Sequence, residues 1–350
     1  MKSSQLAIVI CTYNRSASLI QTLTSLYQCD YPGDECVDIL VVANHCSDDT
    51  LAQLAAFKAM HTQANLQLDW IEEPLAGKSH ALNAAIAHTR HAVLGFIDDD
   101  QTVEKGFLTH LLNGMAAYPD EAIYCGRIWP AWDGSEPAWV STRGAYAIPI
   151  RPFPEFDLGP ESVAITPRDR YPSGGNIVVR RRVFDAVGLF AIDLGPTGHN
   201  LAGGEDHDFL KRATEQGFSI RYLPGMRQLH AIDAERMSTR YTLRKSFLRS
   251  RANFMIRRDA HGPRLYMGRK ILEHFGNAVF TWDASRRFFF LVRLAASLGE
   301  LTGAIETLTT SAHSQLALPP DQGMLAVKGL AVLTIACGFI AWFASGTGRW

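Results

Sequence analysis

The stretch Phe96-Ile97-Asp98-Asp99-Asp100 joins an apolar strand directly to three carboxylates. Adjacent carboxylates repel one another unless a cation neutralises them. Mg²⁺ and Mn²⁺ prefer oxygen ligands, often one or two carboxylates together with the phosphates of a substrate. The stretch therefore favours a site for a divalent metal and a diphosphate. The alternative is a solvated acidic turn, because so short a motif also occurs without a metal.

Outward from this stretch, short apolar runs alternate with helical stretches. The predicted strands are residues 6–11, 38–43, 68–71 and 93–97, and the predicted helices between them are residues 17–27, 50–61 and 79–89. This alternation indicates parallel strands joined by right-handed crossover helices, in an α/β doubly wound sheet. Ligands of such sheets bind beyond the carboxyl ends of the strands, so we expect the functional residues there.

The first strand ends in Cys11-Thr12-Tyr13-Asn14-Arg15. A guanidinium such as that of Arg15 pairs well with a phosphate, and the ring of Tyr13 is suited to stack on a base. The alternative is a simple turn with a helix N-cap at Asn14 or Ser16.

Two further polar turns lie at the ends of the next strands. One contains Asn44, and the other leads through Gly77 and Lys78 into a helix whose N-terminal amides suit an anion. Neither G-x-G-x-x-G nor G-x-x-x-x-G-K-[ST] occurs in the chain. Dinucleotide binding and P-loop hydrolysis are therefore disfavoured.

A separate helix start reads Gly203-Gly204-Glu205-Asp206-His207-Asp208. Glycines let the backbone approach a ligand closely, and a helix N-terminus keeps a carboxylate ionised and available as a base. The alternative is an ordinary acidic first turn. His230 lies further along and is either a structural histidine or a metal ligand that joins the acidic cluster.

Composition changes after Trp129. Eight of the 16 prolines lie in residues 129–172, which predicts a long functional loop. Regular structure resumes with predicted strands at 176–179 and 219–223 and predicted helices at 182–187 and 206–216. Beyond His230 the pattern is helical, with further predicted helices at 264–280 and 286–310.

Charge is distributed unevenly along the chain. The net charge is −1, so there is no overall signature of a nucleic-acid-binding protein. Residues 236–293, however, hold 14 Lys and Arg against Asp259, Glu273 and Asp283. A solvated helix face and a nucleic-acid surface are alternatives, but no nucleic-acid motif occurs, and we favour an anionic membrane surface.

The C-terminal segment suggests where in the cell the chain lies. Residues 329–348 contain no charged side chain, which favours a membrane-anchoring helix at 324–346 over a buried terminal helix. The basic residues upstream predict that the catalytic part lies on the cytoplasmic face of the inner membrane. The six cysteines include no C-x-x-C pair, and we expect a reduced compartment.

Together these segments resemble the family 2 glycosyltransferases of the glycosyltransferase-A fold, over residues 8–230. The resemblance rests on six ordered segments and a final histidine: Cys11–Arg15, the V-V-x-N-x-x-x-D-x-T run ending at Thr50, residues 77–83, Asp98–Asp100, Gly174-Gly175-Asn176 with 180–188, Gly204-Glu205-Asp206, and His230. It implies an α/β fold with a mostly parallel central sheet followed by C-terminal helices.

The resemblance also implies a division of the chain. The catalytic domain would be residues 1–235, with a nucleotide-binding half at 1–128 and an acceptor and base half at 129–235. A basic helical region at 236–315 and the membrane-anchoring helix at 324–346 would follow.

Residue roles follow from the same resemblance. Thr12, Tyr13 and Arg15 would border the nucleotide, Asn44 would approach the base, and Lys78 would lie near the diphosphate. Asp98 would serve the ribose and the metal, with Asp99 beside it. Asp100 would bind Mn²⁺ or Mg²⁺, with His230 as a further ligand. Asp206 would be the catalytic base that deprotonates the acceptor hydroxyl, with Glu205 next to it.

The implied reaction is metal-dependent, inverting transfer of a sugar from a nucleoside-diphosphate sugar to a glycan or lipid-linked acceptor. A metal neutralises the departing diphosphate, and a single base on the opposite face is sufficient for inversion. The chain departs from the family at Ala43, where an Asp is common, and it lacks the Q-x-x-R-W of processive synthases. The alternatives are a nucleotide-sugar-binding protein with impaired catalysis and a sugar nucleotidyltransferase, although the latter would need a glycine-rich N-terminal loop.

Overall fold

A computed structural model describes residues 5–31, 36–166, 171–195, 204–255 and 262–315. The chain forms two compact units. The first runs to Asp133 and resumes over Phe153–Ile232. The second contains Gly134–Pro152 and the described residues from Asp233 onward. Residues 134–152, which the resemblance assigned to the acceptor half of the catalytic domain, belong to the second unit. The predicted anchoring helix at 324–346 lies outside the described residues.

The described elements begin with the alternation that the sequence predicts. In chain order they are β1 (Leu6–Thr12), α1 (Ser16–Tyr27), β2 (Val37–Asn44), α2 (Thr50–Met60), β3 (Leu66–Glu73), α3 (Lys78–His88), β4 (Val93–Asp98), β5 (Gln101–Val103), α4 (Phe107–Ala117), β6 (Ile123–Pro130), α5 (Ala138–Ser141), β7 (Val163–Ile165), β8 (Asn176–Arg180), α6 (Arg181–Val187), α7 (Glu205–Glu215), β9 (Ile220–His230), α8 (Thr239–Met255), α9 (Leu265–Phe280) and α10 (Ala284–Gln315).

The strands form one central sheet in the order β3-β2-β1-β4-β8-β6-β9-β5, with β7 paired to β9. The four strands from β3 to β4 are parallel, as predicted. The other half is mixed, because β8 is antiparallel to both of its neighbours while β6 and β9 are parallel to each other. The α/β class with a central sheet and C-terminal helices is thus confirmed.

Burial explains why β1 lies inside the sheet. Leu6, Ala7, Ile8, Val9 and Ile10 are all at most 3% exposed, so both faces of this strand are covered. Continuous apolar runs of this kind are typical of parallel strands with helices on both sides. One face of the sheet packs against α1, α2 and α4, and the other face packs against α3, α6 and α7.

The strand register brings distant parts of the sequence to one edge of the sheet. Cys11 at the end of β1 pairs with Asp98 at the end of β4. Asn176, the first residue of β8, pairs with Ile97. His230 pairs with Gln101 through the antiparallel β5–β9 ladder. The acidic turn, the residues before β8 and His230 therefore meet there.

The second unit is helical. Its helix α8 packs closely on α10, where Gly299 and Gly303 leave no room for side chains against the backbone of α8. Leu243 and Phe254 of α8 pack in two small apolar clusters within this unit. Among the described residues, one helical stretch, Ala284–Leu308 in α10, is long and apolar enough to cross a membrane, and 39% of its most apolar window is buried.

Candidate functional site

The site is a narrow cavity at the carboxyl edge of the sheet. Its charged walls come from three separate segments: Lys78 at the start of α3, Asp98 at the end of β4, and Glu205 and Asp206 at the start of α7. The structure thus brings together four of the residues that the sequence nominated in distant segments.

Lys78 links the two sides of this cavity. Its Nζ lies 2.5 Å from Asp98 Oδ1 and 3.9 Å from Glu205 Oε1. Burial lowers the pKa of Lys78, but the two carboxylates outweigh it and raise that pKa above its ordinary value. Burial raises the pKa of Asp98, but the nearby positive charge of Lys78 lowers it. The net pKa of Asp98 lies below its ordinary value. Lys78 and Asp98 are therefore a charged pair at neutral pH.

Asp99 is the buried member of the acidic turn. Its Oδ2 accepts a 2.7 Å hydrogen bond from Thr12 Oγ1, and its Oδ1 lies 3.1 Å from Arg15 Nη1. Burial raises the pKa of Asp99 to about 6, with a further upward contribution from Asp100 and an opposing one from Arg15. Thr12 is only 2% exposed, and its hydroxyl group holds the Asp99 carboxylate in place through this hydrogen bond.

Asp100 and His230 lie side by side. Asp100 Oδ1 is 3.3 Å from His230 Nε2, and Asp100 Oδ2 is 3.0 Å from Arg15 Nη1. His230 Nδ1 lies 2.7 Å from the carbonyl oxygen of Ala231, so Nδ1 carries the donated proton. In a neutral ring this leaves the lone pair of Nε2 facing a carboxylate oxygen. Two acceptors at this distance need a proton or a metal ion between them.

The predicted ligand set Asp98, Asp100 and His230 stays a prediction. Within the described residues, no three or more His, Cys, Asp or Glu side chains form a group suited to hold a metal ion. At Asp98, Lys78 takes up Oδ1 of the carboxylate. Asp100 and His230 lie next to each other, and the second ring nitrogen of His230 is fixed by a backbone carbonyl, as in many metal sites.

Asp206 and Glu205 have different environments. Asp206 Oδ2 accepts a 2.8 Å hydrogen bond from the amide of Gly174, and Oδ1 accepts one of 2.8 Å from the amide of His207. Glu205 is 4% exposed, and its Oε2 has no hydrogen-bond partner among the described residues. Burial raises the pKa of Glu205, against the opposing effect of Lys78. Asp206 is thus the carboxylate whose position is fixed by backbone amides.

The glycine pair before β8 has a structural task that the sequence did not reveal. A Cβ atom on Gly174 would lie 2.8 Å from Cβ of Asp206, and one on Gly175 would overlap Oδ2 of Asp98. Only glycines let this turn pass between the two carboxylates. The motif was visible in the sequence, but the pairing that brings it to Asp98 depends on the long-range β4–β8 register.

Asn44, which was predicted to approach the base, is held by hydrogen bonds to the backbone. It is 5% exposed, and its amide nitrogen donates to the carbonyl oxygens of Glu73 and Leu75 at 3.2 and 2.6 Å. Its side-chain oxygen accepts a 2.8 Å hydrogen bond from the amide of Gly77. Asn44 therefore fixes the turn that leads to Lys78, and it acts by positioning that residue.

An aromatic pair borders the same sheet edge. The rings of Tyr13 and His45 are stacked, with centroids 6.5 Å apart and planes 23° apart. Asn14 and His45 both have φ of 51°, a conformation that is uncommon for residues other than glycine. The sequence pattern indicated Tyr13 as a candidate site residue but not His45, which is one residue of a polar turn with no motif of its own.

Comparison with known proteins identifies the family. The model of the family described as "Glycosyl transferase family 2" matches residues 7–188, which include β1 to β4 and the turn before β8. The chain belongs to glycosyl transferase family 2. It is a glycosyltransferase, as the resemblance of its segments predicted.

Two curated proteins are similar to the chain. The succinoglycan biosynthesis protein ExoM of Rhizobium meliloti is 24% identical over 259 residues, which cover 73% of this chain and 77% of ExoM. The glycosyltransferase AglE of Haloferax volcanii is 23% identical over 226 residues, which cover 62% of this chain and 63% of AglE.

Solved structures of similar proteins include two with bound nucleotides. The mannosyltransferase PcManGT from Pyrobaculum calidifontis, in complex with GDP-Man and Mn²⁺, matches with a TM-score of 0.49 and 18% identity over 98% of this chain and 84% of its own. S. aureus TarS 1-349 in complex with UDP matches with a TM-score of 0.49 and 14% identity over 88% of this chain and 92% of its own.

Proposed function

We propose that this glycosyltransferase moves a sugar from a nucleoside-diphosphate sugar to a hydroxyl of a glycan or lipid-linked acceptor, with inversion and with Mn²⁺ or Mg²⁺. The observation that carries the proposal is the convergence of two kinds of carboxylate at one edge of the sheet. The Asp98–Asp100 turn, with its cationic partners, lies on one side, and Asp206 at the start of α7 lies on the other.

The donor nucleotide would bind at the ends of β1 and β2. The stacked rings of Tyr13 and His45 offer a flat face on which a base can stack. Ala43 is buried at 2% exposure and supplies no polar group for the base, so the aromatic pair is the remaining recognition element there. Arg15, with 41% of its side chain exposed, is available to exchange a carboxylate for a phosphate oxygen.

The residues that would hold a divalent cation are Asp100 and His230. They supply one carboxylate oxygen and one imidazole nitrogen, which lie 3.3 Å apart, and diphosphate oxygens would complete the coordination. When bound, the cation stabilises the charge that develops on the departing diphosphate. Lys78 would contribute a second positive charge near the same phosphates, and its pair with Asp98 holds it in place.

Asp206 would act as the general base. Two backbone amides donate hydrogen bonds to its carboxylate and fix its position, as a base that takes a proton from the acceptor hydroxyl requires. Glu205 is the weaker candidate, because burial raises its pKa and its carboxylate faces Lys78. Glu205 would instead balance the charge of Lys78 during the reaction.

The acceptor would be a saccharide under construction at the cytoplasmic face of the inner membrane. Support comes from ExoM, whose name places that protein in succinoglycan biosynthesis. The basic helices of the second unit also suit a chain that works next to anionic lipid.

A donor screen tests the proposal. The full chain is incubated with a panel of nucleoside-diphosphate sugars, with Mn²⁺ or with EDTA, and release of nucleoside diphosphate is measured. We expect release with one donor class, dependence on Mn²⁺, and loss of release in Asp100→Ala. Asp69→Ala is the matched control, since Asp69 has 73% of its side chain exposed and belongs to no part of the site.

The screen also separates the alternatives. If the chain bound a donor tightly but released no nucleoside diphosphate with any combination of donor and acceptor extract, it would be a binding protein with impaired catalysis. Consumption of a nucleoside triphosphate with a sugar phosphate, and release of pyrophosphate, would indicate a nucleotidyltransferase. Full release by Asp100→Ala in EDTA would contradict the metal assignment.

A further inference from the structure

One face of α9 is apolar and exposed. Leu265, Leu272 and Val279 are 97%, 73% and 58% exposed, and Phe280 is 81% exposed at the end of the helix. Trp282 follows directly and is 98% exposed. These five residues, together with Phe275, are called the α9 apolar face below.

The spacing shows that this face is a feature of the helix. Positions 265, 272 and 279 repeat every seven residues, which places them in one row along the helix. The side chains that α9 buries, Met267, His274 and Ala278, lie on other positions and pack inwards. α9 is therefore apolar on two sides, and only one of them is covered within the described chain. Contiguous exposed apolar surface with a polar rim marks an interaction site.

Positive charge lies at both ends of the face. Arg264 and Arg269 are exposed near its start, and Arg286 and Arg287 are exposed just beyond Trp282. The acidic side chains next to them are Glu273 and Asp283, and Asp283 Oδ1 accepts a hydrogen bond from the amide of Arg286 at the start of α10. Arginines therefore outnumber the acids along the rim, which complements a negatively charged partner.

We propose that the α9 apolar face docks on an anionic lipid bilayer, with α9 lying in the plane of the membrane surface. A helix of 16 residues is about 24 Å long, which is too short to cross a hydrocarbon core of about 30 Å. Aliphatic side chains along the middle, an exposed Trp at one end and arginines at both ends are the arrangement of an interfacial helix.

This surface replaces the one that the charge pattern alone suggested. The basic residues of α8 were expected to face the lipid, but Lys245 donates from Nζ to the carbonyl oxygens of Arg151 and Pro152 at 3.1 and 3.2 Å. Arg251 pairs with Glu306 at 2.7 Å. Part of the α8 charge is thus used inside the second unit, whereas the α9 apolar face is open. The inference deepens the proposed function, since it rests on an acceptor held at a membrane.

Vesicle sedimentation of the full chain tests the docking. The vesicles are phosphatidylcholine alone or mixed with phosphatidylglycerol. The double variant Phe280→Ser/Trp282→Ser should bind the anionic vesicles more weakly by about tenfold to a hundredfold, because each of the two aromatic rings that leaves an apolar environment accounts for up to about a factor of ten. The matched control is Met60→Ser, which removes a side chain that is 73% exposed in the first unit and should change nothing.

A second readout follows Trp282 itself. Phosphatidylglycerol vesicles with brominated acyl chains quench a tryptophan that enters the bilayer. We expect the wild-type chain to lose more fluorescence than Trp282→Phe, which keeps an apolar ring but removes this indole. The difference isolates Trp282 from the other six tryptophans, including those near the C-terminus.

Several results would overturn the inference. Equal quenching in wild type and Trp282→Phe would show that Trp282 stays in water. Equal binding to both kinds of vesicle would remove the requirement for anionic lipid. If the wild-type chain self-associated and the double serine variant did not, a second copy of the chain would be the partner. If Trp282 were already shielded in the absence of vesicles, and if a chain that ends at Pro319 lost this shielding, the C-terminal segment would be the partner. Donor turnover should be the same in all variants, so failure here is distinct from failure of the proposed function.

Discussion

Replacement of Lys78 by Met should destabilise the first unit strongly. The substitution keeps the length of the side chain and removes the charge that lies 2.5 Å from Asp98 Oδ1 and 3.9 Å from Glu205 Oε1. The side chains of Lys78 and Asp98 are about one quarter exposed, and that of Glu205 is 5% exposed. Loss of one partner from a buried pair costs about 3–5 kcal/mol, and because this pair is partly exposed we expect a loss of about 3 kcal/mol.

The loss should depend on pH in a defined direction. The folded-state pKa of Asp98 lies below its ordinary value of 3.8, so its pair with Lys78 stabilises the fold above that pH and less as pH falls through the lower folded-state pKa. In Lys78→Met the two carboxyl groups lose their nearest cation, and their pKa values rise. They take up protons as the pH falls, and the difference from wild type should therefore shrink between pH 7 and pH 4.

Urea unfolding of wild type and variant at several pH values measures this difference. The matched control is Lys58→Met, because Lys58 forms an exposed pair with Asp69 at 3.7 Å, with 49% and 73% of the two side chains exposed. Such a pair is worth about 0.5 kcal/mol. If Lys78→Met cost no more than Lys58→Met, or if its cost grew towards acidic pH, the account of the buried cluster would be refuted.

Three further predictions concern activity. Asp206→Asn should lower kcat by about 10²–10⁴-fold and leave donor affinity nearly unchanged, as steady-state kinetics with donor titrations would show; a near-normal kcat would move the base to another residue. His230→Ala should weaken Mn²⁺ binding in calorimetry with nucleoside diphosphate present, and unchanged affinity would remove His230 from the donor set. Gly175→Ala should lower kcat/KM by about tenfold to a hundredfold because its new methyl group overlaps Asp98. Gly268→Ala, with nothing within 4 Å, is its control and should be fully active.

The sequence predicted the first half of the fold well. β1 to β4 and α1 to α3 agree with the predicted elements to within two residues at each end, because parallel strands buried on both faces read as continuous apolar runs. By contrast, α4, β5 and β6 had no predicted counterpart. β5 has only three residues, and β6 shifts register between Cys125 and Arg127, so neither gives a clear period.

The sequence indicated which residues meet at the candidate site, but it did not indicate which of them contact one another. The strand-end rule placed Asp98, Lys78 and Arg15 at one edge, since it depends only on strand direction. It could not show that Lys78 would pair with Asp98, or that the side chain of Asn44 would bond to the backbone of Leu75 and Gly77, because both contacts depend on side-chain conformation. The meeting of His230 with Asp100 required the β5–β9 pairing, which joins residues that are far apart in the chain.

A divalent cation should bind between Asp100 and His230 and hold the diphosphate of the donor. Crystals of the chain grown with Mn²⁺ and a nucleoside diphosphate test this by anomalous diffraction. We expect a manganese peak within coordination distance of Asp100 Oδ1 and His230 Nε2 and in contact with the diphosphate. A bound nucleoside diphosphate with no manganese peak there, and with His230 still 3.3 Å from Asp100, would contradict it.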